Sequence, residues 1–125
     1  AIDSLLSQDF VGDFDVVVVD NGSSDRTRSV VEQRASNPRL KYVFEPTLGL
    51  SVARNTGAKV ASSEILAYLD DDAVACQHWL QVLYCAYQNN PKLAIAGGKV
   101  SLLWCDGIQP PQWLSSGLAA NLGAY

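Results

Sequence analysis

Three consecutive carboxylates, Asp70, Asp71 and Asp72, close a short apolar run, Ile65-Leu66-Ala67-Tyr68-Leu69. The run is long enough for a strand and too short for a helix. Acidic groups at the end of a buried strand would set a dense negative field at the rim of a sheet. Adjacent carboxylates repel one another, so a cation is a natural way to hold them ionised together. The chemistry this predicts is a site for a hard divalent metal, which takes oxygen ligands and shares its shell with phosphate oxygens. A solvated acidic turn is the plain alternative, and the triplet taken alone favours it.

Other stretches place polar residues where strands would end. Phe14-Asp15-Val16-Val17-Val18-Val19 is β-branched and apolar, the pattern of a strand covered on both faces. It runs into Asp20-Asn21-Gly22-Ser23-Ser24-Asp25, which favours turns and helix N-caps. Ser24 or Asp25 would cap a helix reaching about Ala35, ahead of Asn37-Pro38. Leu40-Lys41-Tyr42-Val43-Phe44 alternates toward Glu45-Pro46 as a short strand. The spacing of Val52, Ala53, Thr56 and Val60 predicts a helix from residue 50 to about 61, weakened by Gly57. Ile2, Leu5 and Leu6 share a helical face within residues 1–8, and Trp79, Val82, Leu83, Ala86 and Tyr87 predict an amphipathic helix ending near Asn89-Asn90-Pro91. Residues 93–96 and 99–104 read as further strand material, and the stretch after Pro110-Pro111 as loop followed by a short helix.

Strands alternating with helices predict a mostly parallel, doubly wound α/β sheet with helices on both faces and right-handed crossovers. Ligands of such sheets sit beyond the carboxyl ends of the strands. Asp20, Glu45 and the 70–72 triplet each follow a strand, so three separate loops bring polar groups to one edge.

A length of 125 residues bounds this to one domain with room for a core. With 48% hydrophobic and 18% charged residues the composition is that of a globular protein, which excludes a disordered or fibrous chain. A net charge of −4 argues against nucleic acid or an anionic membrane as partner, so a phosphate-bearing ligand would need a metal or local donors. Cys76, Cys85 and Cys105 form no CxxC pair and are odd in number. They read as buried free thiols in a reducing compartment, with neither a zinc site nor a disulfide framework. No apolar stretch is long enough to span a bilayer and no signal-peptide pattern opens the sequence. The absence of methionine implies processing or an internal piece of a longer protein.

Three motifs occur in order: Val17-Val18-Val19-Asp20-Asn21-Gly22-Ser23-Ser24-Asp25-Arg26-Thr27, then Glu45-Pro46-Thr47-Leu48-Gly49-Leu50-Ser51-Val52-Ala53-Arg54-Asn55-Thr56-Gly57, then Tyr68-Leu69-Asp70-Asp71-Asp72. The series resembles the GT-A glycosyltransferases of family 2, which transfer a sugar from a nucleotide diphosphate with inversion at the anomeric carbon. The likeness covers the chain to about Gly98, and residues 99–125 would belong to an acceptor-side segment. It implies a partial GT-A, nucleotide-diphospho-sugar transferase fold over residues 1–125. Asp20 would accept a hydrogen bond from the donor base, typically N3 of uracil, because a carboxylate offers only acceptors. Arg54 would face the nucleotide, contacting the base or a carboxylate such as Asp20. In the DxD pattern Asp72 would hold the metal, manganese or magnesium, and Asp70 or Asp71 the ribose hydroxyls. The cation would neutralise charge on the departing nucleotide. The implied partners are a nucleotide-diphospho-sugar donor and a saccharide or lipid-linked acceptor. The implied location is the cytoplasm, at the cytoplasmic face of a membrane for the full-length protein. Plainer readings stand beside these: a helix-initiating turn for Asp20 and Asn21, a surface side chain for Arg54.

The resemblance also exposes departures. The family's acidic base, in a Glu-Asp pair followed by arginine, has no counterpart here, since Asp106 is the only carboxylate after Asp72 and reads as a turn residue. His78 reads as a solvated residue at a helix start, so no catalytic base is assigned and residues 1–125 alone are expected to be inactive. A first strand, placed centrally in the family's sheet, is absent ahead of residues 1–8. That absence would leave unpaired edges and invite self-association. A non-catalytic nucleotide or metal binding module is the alternative function.

Overall fold

The computed structural model describes residues 1–104, 106–115 and 118–119. The chain divides into two compact units, Ala1–Pro91 and Lys92–Tyr125. The first unit runs α1 (Ile2–Leu6), β1 (Val16–Asp20), α2 (Thr27–Glu32), β2 (Leu40–Phe44), α3 (Leu50–Val60) and α4 (Trp79–Asn89). β1 and β2 pair in parallel, with Val16 opposite Leu40 and Asp20 opposite Phe44. Parallel neighbours need a crossover, which α2 supplies. The described part of the second unit holds no strand; Asp106 and Gly107 form a turn, with Gly107 in the left-handed region at φ +81°. Cys105 and most of the expected terminal helix lie outside the described residues.

The β-branched run of β1 and the alternation of β2 form strands where the sequence predicts them, and α3 and α4 match their apolar spacing. Gly57 in α3 has a packing reason: a Cβ there would sit 3.3 Å from Val19 Cγ2, so the bare Cα lets the helix approach β1. The helix expected to reach Ala35 ends at Glu32 instead. Arg34 and Ala35 donate to Val31 and Glu32, the i→i−3 bonds of a last turn that tightens into successive turns. At its start the N-cap is Arg26 rather than Ser24 or Asp25 and makes no side-chain cap bond. Asp25, one residue earlier, instead closes a local turn, its Oδ1 accepting from the Thr27 amide at 2.9 Å and the Thr27 hydroxyl at 2.6 Å.

Residues 65–69 form no strand, and neither do 93–96 or 99–104. Among the described residues the sheet is two-stranded and bonds β1 along one edge only. A cleft of about 870 Å³ is lined by Val16 and Val17 of β1 together with Ile65, Ala67 and Leu69. Only Val16, Val31 and Ala75 are buried apolar residues among those described. The unpaired edge and open apolar surface are those expected of a sheet short of a strand. Cys76 and Cys85 are free, as expected, yet exposed rather than buried.

Three side chains lace the unit together. Asn21, just past β1, donates through Nδ2 to the carbonyls of Glu45 (3.0 Å) and Thr47 (2.7 Å) and accepts at Oδ1 from the Gly49 amide (2.7 Å). Gly49, at φ +145°, then starts α3. The Glu45 carboxylate accepts from the Thr47 amide at 2.8 Å and the Thr56 hydroxyl at 2.7 Å, tying the same loop to the middle of α3. At the other end, buried Gln8 donates to Ser4 and Cys76 carbonyls, and its Oε1 accepts from the Leu80 amide, satisfying an orphan donor of α4 from 72 residues away.

Asn21→Ala removes the lacing at one stroke and leaves three backbone groups to water, so it is expected to cost about 1–3 kcal/mol in urea unfolding; an unchanged midpoint would show the loop is held by something else. Glu45 has the opposite kind of signature. Its bonds to Thr56, then Thr47, with Lys59 nearby, hold its pKa below the ordinary 4.5. A carboxylate depressed on folding stabilises above its unfolded value and loses that contribution as pH falls through the folded one. Acid unfolding followed below pH 4.5 should therefore be shallower for Glu45→Gln than for the parent; parallel curves would remove Glu45 from the account.

Candidate functional site

A second cleft, of about 470 Å³, is lined by Asn21 and Ser23 after β1, by Leu50, Ala53 and Arg54 on the first turns of α3, and by Leu69, Asp70 and Asp71. Loops far apart in sequence thus meet near the carboxyl end of a parallel strand, where α/β sheets place ligands. Arg54 Nη2 donates to Asp70 Oδ1 at 3.1 Å, with the arginine side chain 46% exposed and the aspartate 67%. A pair so open to solvent contributes at most about 1 kcal/mol, so its effect is to orient the guanidinium more than to stabilise the fold. Arg54 makes this pair with Asp70; Asp20 is bonded elsewhere.

Asp20 ends β1 with only 3% of its surface exposed. Its Oδ2 accepts from the Tyr42 hydroxyl at 2.6 Å, and its Oδ1 from the Ser23 amide at 2.8 Å. Val18 opposes Tyr42 in the parallel register, so Asp20, two residues on, shares that face and the long ring spans the step. Hydrogen bonds from Tyr42 and then Ser23, with the Arg28 charge nearby, hold Asp20 below the ordinary carboxylate value of 3.8 and overcome the opposing effect of burial. The same bond raises Tyr42 above its usual 10.0. Arg28 of α2 lies 5.9 Å above the Tyr42 ring. Asp20 is not among the cleft-lining residues, but Ser23, which holds it, is.

Asp70, Asp71 and Asp72 occupy an exposed turn closed by the Ala73 amide on the Asp70 carbonyl at 3.1 Å. Full solvent screens their mutual repulsion, so the turn does not need a cation to hold it. Among the described residues no three His, Cys, Asp or Glu side chains are grouped to enclose a metal ion. The donors do fit a cation that keeps several waters and completes its shell with phosphate, which one or two carboxylates suffice to hold. Asp72 lies outside the cleft lining that includes Asp70 and Asp71. His78 is exposed at the start of α4, 3.5 Å from Asp9, and Asp106 lies in its turn of the second unit. From the sequence Ser23 reads only as part of a turn and Tyr42 only as part of a strand; the structure brings both onto Asp20. Tyr42 reaches it through the parallel register, which the residues of one strand do not fix.

Residues 1–117 match the family model described as Glycosyl transferase family 2. A validoxylamine A glucosyltransferase of Streptomyces hygroscopicus subsp. jinggangensis is 42% identical over 100 residues, 78% of this chain and 22% of that protein. An uncharacterized glycosyltransferase of Nostoc sp. is 33% identical over 76% of this chain and 30% of its own length. A glucosyl-dolichyl phosphate glucuronosyltransferase of Haloferax volcanii is 28% identical over 82% of this chain and 33% of its own length. The chain thus spans between about a fifth and a third of these relatives. With the match running through both clefts and the three loops that line them, the chain belongs to glycosyl transferase family 2, and its α/β architecture with parallel strands is an incomplete form of the GT-A fold.

Proposed function

We propose that these residues bind the nucleotide-diphosphate part of a sugar donor and serve its transfer, with inversion, to an acceptor hydroxyl. The observation that carries this reading is the cleft in which Arg54, paired with Asp70, stands beside Asn21 and Ser23 at the carboxyl end of a parallel strand. A guanidinium and the first turn of α3 suit a diphosphate. Arg54 meets the nucleotide, exchanging Asp70 for a phosphate oxygen or sharing it. Asp70 and Asp71 take the ribose hydroxyls, since carboxylates accept without competing donors. Asp20 takes a base N–H, and its confinement suits a single edge-on donor such as the N3–H of uracil or N1–H of guanine. Asp72 is the carboxylate for a magnesium or manganese ion, which when bound supplies charge neutralisation at the leaving diphosphate. The acceptor's base lies outside residues 1–125, so this stretch alone does not turn over. The sugar is a hexose by likeness to two of the relatives, a glucosyltransferase and a glucuronosyltransferase. The acceptor is a saccharide or a lipid-linked saccharide, met in the cytoplasm at a membrane face. Among the described residues no helix is long and apolar enough to cross a membrane. The unpaired edge of β1 favours self-association of the isolated residues, measurable by sedimentation.

The deciding assay is release of nucleoside diphosphate by the full-length protein. Excess chelator should abolish it and manganese restore it, and Asp72→Ala should lower kcat by about a hundredfold or more. Arg54→Ala should act mainly on the donor KM, as loss of ground-state binding does. Metal-independent turnover at the parent rate would dismiss the assignment of Asp72. Tight donor binding without any turnover would instead favour a non-catalytic binding module.

A further inference from the structure

Neither Tyr42 nor Asp20 lines the cleft, yet the bond between them, at 2.6 Å, is among the shortest hydrogen bonds of the described residues. It closes a set of constraints on one carboxylate. Tyr42 holds Oδ2 and the Ser23 amide holds Oδ1, so the plane of the group is pinned at both ends. Each oxygen keeps one lone pair, and rotation that would redirect them breaks a bond on either side. The ring itself is steadied by Arg28 at 5.9 Å and by its place in the β1–β2 register. The charged and titratable groups around the pair are Arg28 and Glu32 of α2 and Asp25 of the preceding loop. The phenol donates to Asp20, so the oxygen it holds stays an acceptor, and the carboxylate remains acceptor-only toward anything that approaches past Ser23.

We propose that Tyr42 is a positioning residue for donor recognition: its hydroxyl fixes the Asp20 carboxylate so that the free lone pairs meet a base carrying an N–H on its pairing edge. This deepens the donor-site reading and rests on it. The residue does not touch the diphosphate, so its effect is confined to the nucleoside half of the ligand. That confinement separates positioning from a general structural role, because a loosened fold would weaken every ligand of the cleft alike.

The experiment is calorimetric titration of the full-length protein with UDP, GDP and inorganic pyrophosphate in the presence of manganese, for the parent, Tyr42→Phe and Asp20→Asn. Tyr42→Phe differs from the parent by one oxygen and should weaken the better-bound nucleotide about threefold to tenfold, leaving pyrophosphate unchanged. Asp20→Asn, which turns a donor toward the base, should weaken the nucleotide by tenfold or more with pyrophosphate again unchanged. A nucleotide affinity unmoved by Asp20→Asn overturns the base-recognition reading itself. Loss in Asp20→Asn with none in Tyr42→Phe, or an equal loss of nucleotide and pyrophosphate in Tyr42→Phe, overturns the role of Tyr42 alone.

Discussion

One amide side chain governs how the carboxyl edge of this sheet is assembled. Asn21 reaches from the end of β1 to two carbonyls and one amide of the loop that follows β2. Parallel strands offer no tight hairpin to fix their ends, so the loops beyond them need ties of another kind. The backbone supplies one, from the Glu45 amide to the Asp20 carbonyl at 2.9 Å, and Asn21 supplies three more. Glu45 then carries the constraint to Thr56, and with it the orientation of α3 and of Arg54 on its second turn. The arginine that faces the cleft is placed by a chain of short polar contacts that begins at the strand end.

This division explains what was legible in the residues and what was not. β1, β2, α3 and α4 announce themselves because their signals are local: a β-branched run, an alternation, and two helical periods. Residues 65–69 carry the same apolar signature and form no strand, since a strand exists only through a neighbour and, among the described residues, β1 pairs with β2 alone. Residues 93–96 and 99–104 fail for the same reason: a run of suitable side chains does not supply a partner. The end of α2 was misread because competition between a fourth-residue and a third-residue hydrogen bond leaves little trace in composition. Of the site, the acidic and basic residues were visible by type, and the loops that bring Arg54 to Asp70 by strand order. Tyr42 was not, because its meeting with Asp20 depends on parallel register across 22 residues.

Carboxylates of one chemical type meet two fates in this chain. Asp20 is almost wholly withdrawn from water, and a buried charge of that kind must be met by donors, which Tyr42 and Ser23 supply. Asp70, Asp71 and Asp72 are open to solvent, where two unit charges 4 Å apart interact by only about 1 kcal/mol. Their crowding is therefore tolerable as it stands, and repulsion alone calls for no resident cation. A cation here would be held by ligand chemistry instead: hard oxygens, waters still in place, and phosphate to complete the shell.

The two walls of the cleft beside α3 differ accordingly in how firmly they are set. On one side Asn21, Ser23 and α3 are fixed by backbone and side-chain bonds into the sheet. On the other, residues 69–71 belong to no strand, and Asp70 is joined across the cleft by a single ion pair between half-exposed groups. Replacing Asp70 at the Arg54 guanidinium costs no more than about 1 kcal/mol, because that is all an exposed pair of this geometry contributes. An oxyanion of higher charge density, such as a phosphate, competes for the same fork on favourable terms. The carboxylate so released is then available to hydroxyls or a cation on the same ligand, so the weakness of this contact makes one side of the cleft adjustable while the laced side keeps the register.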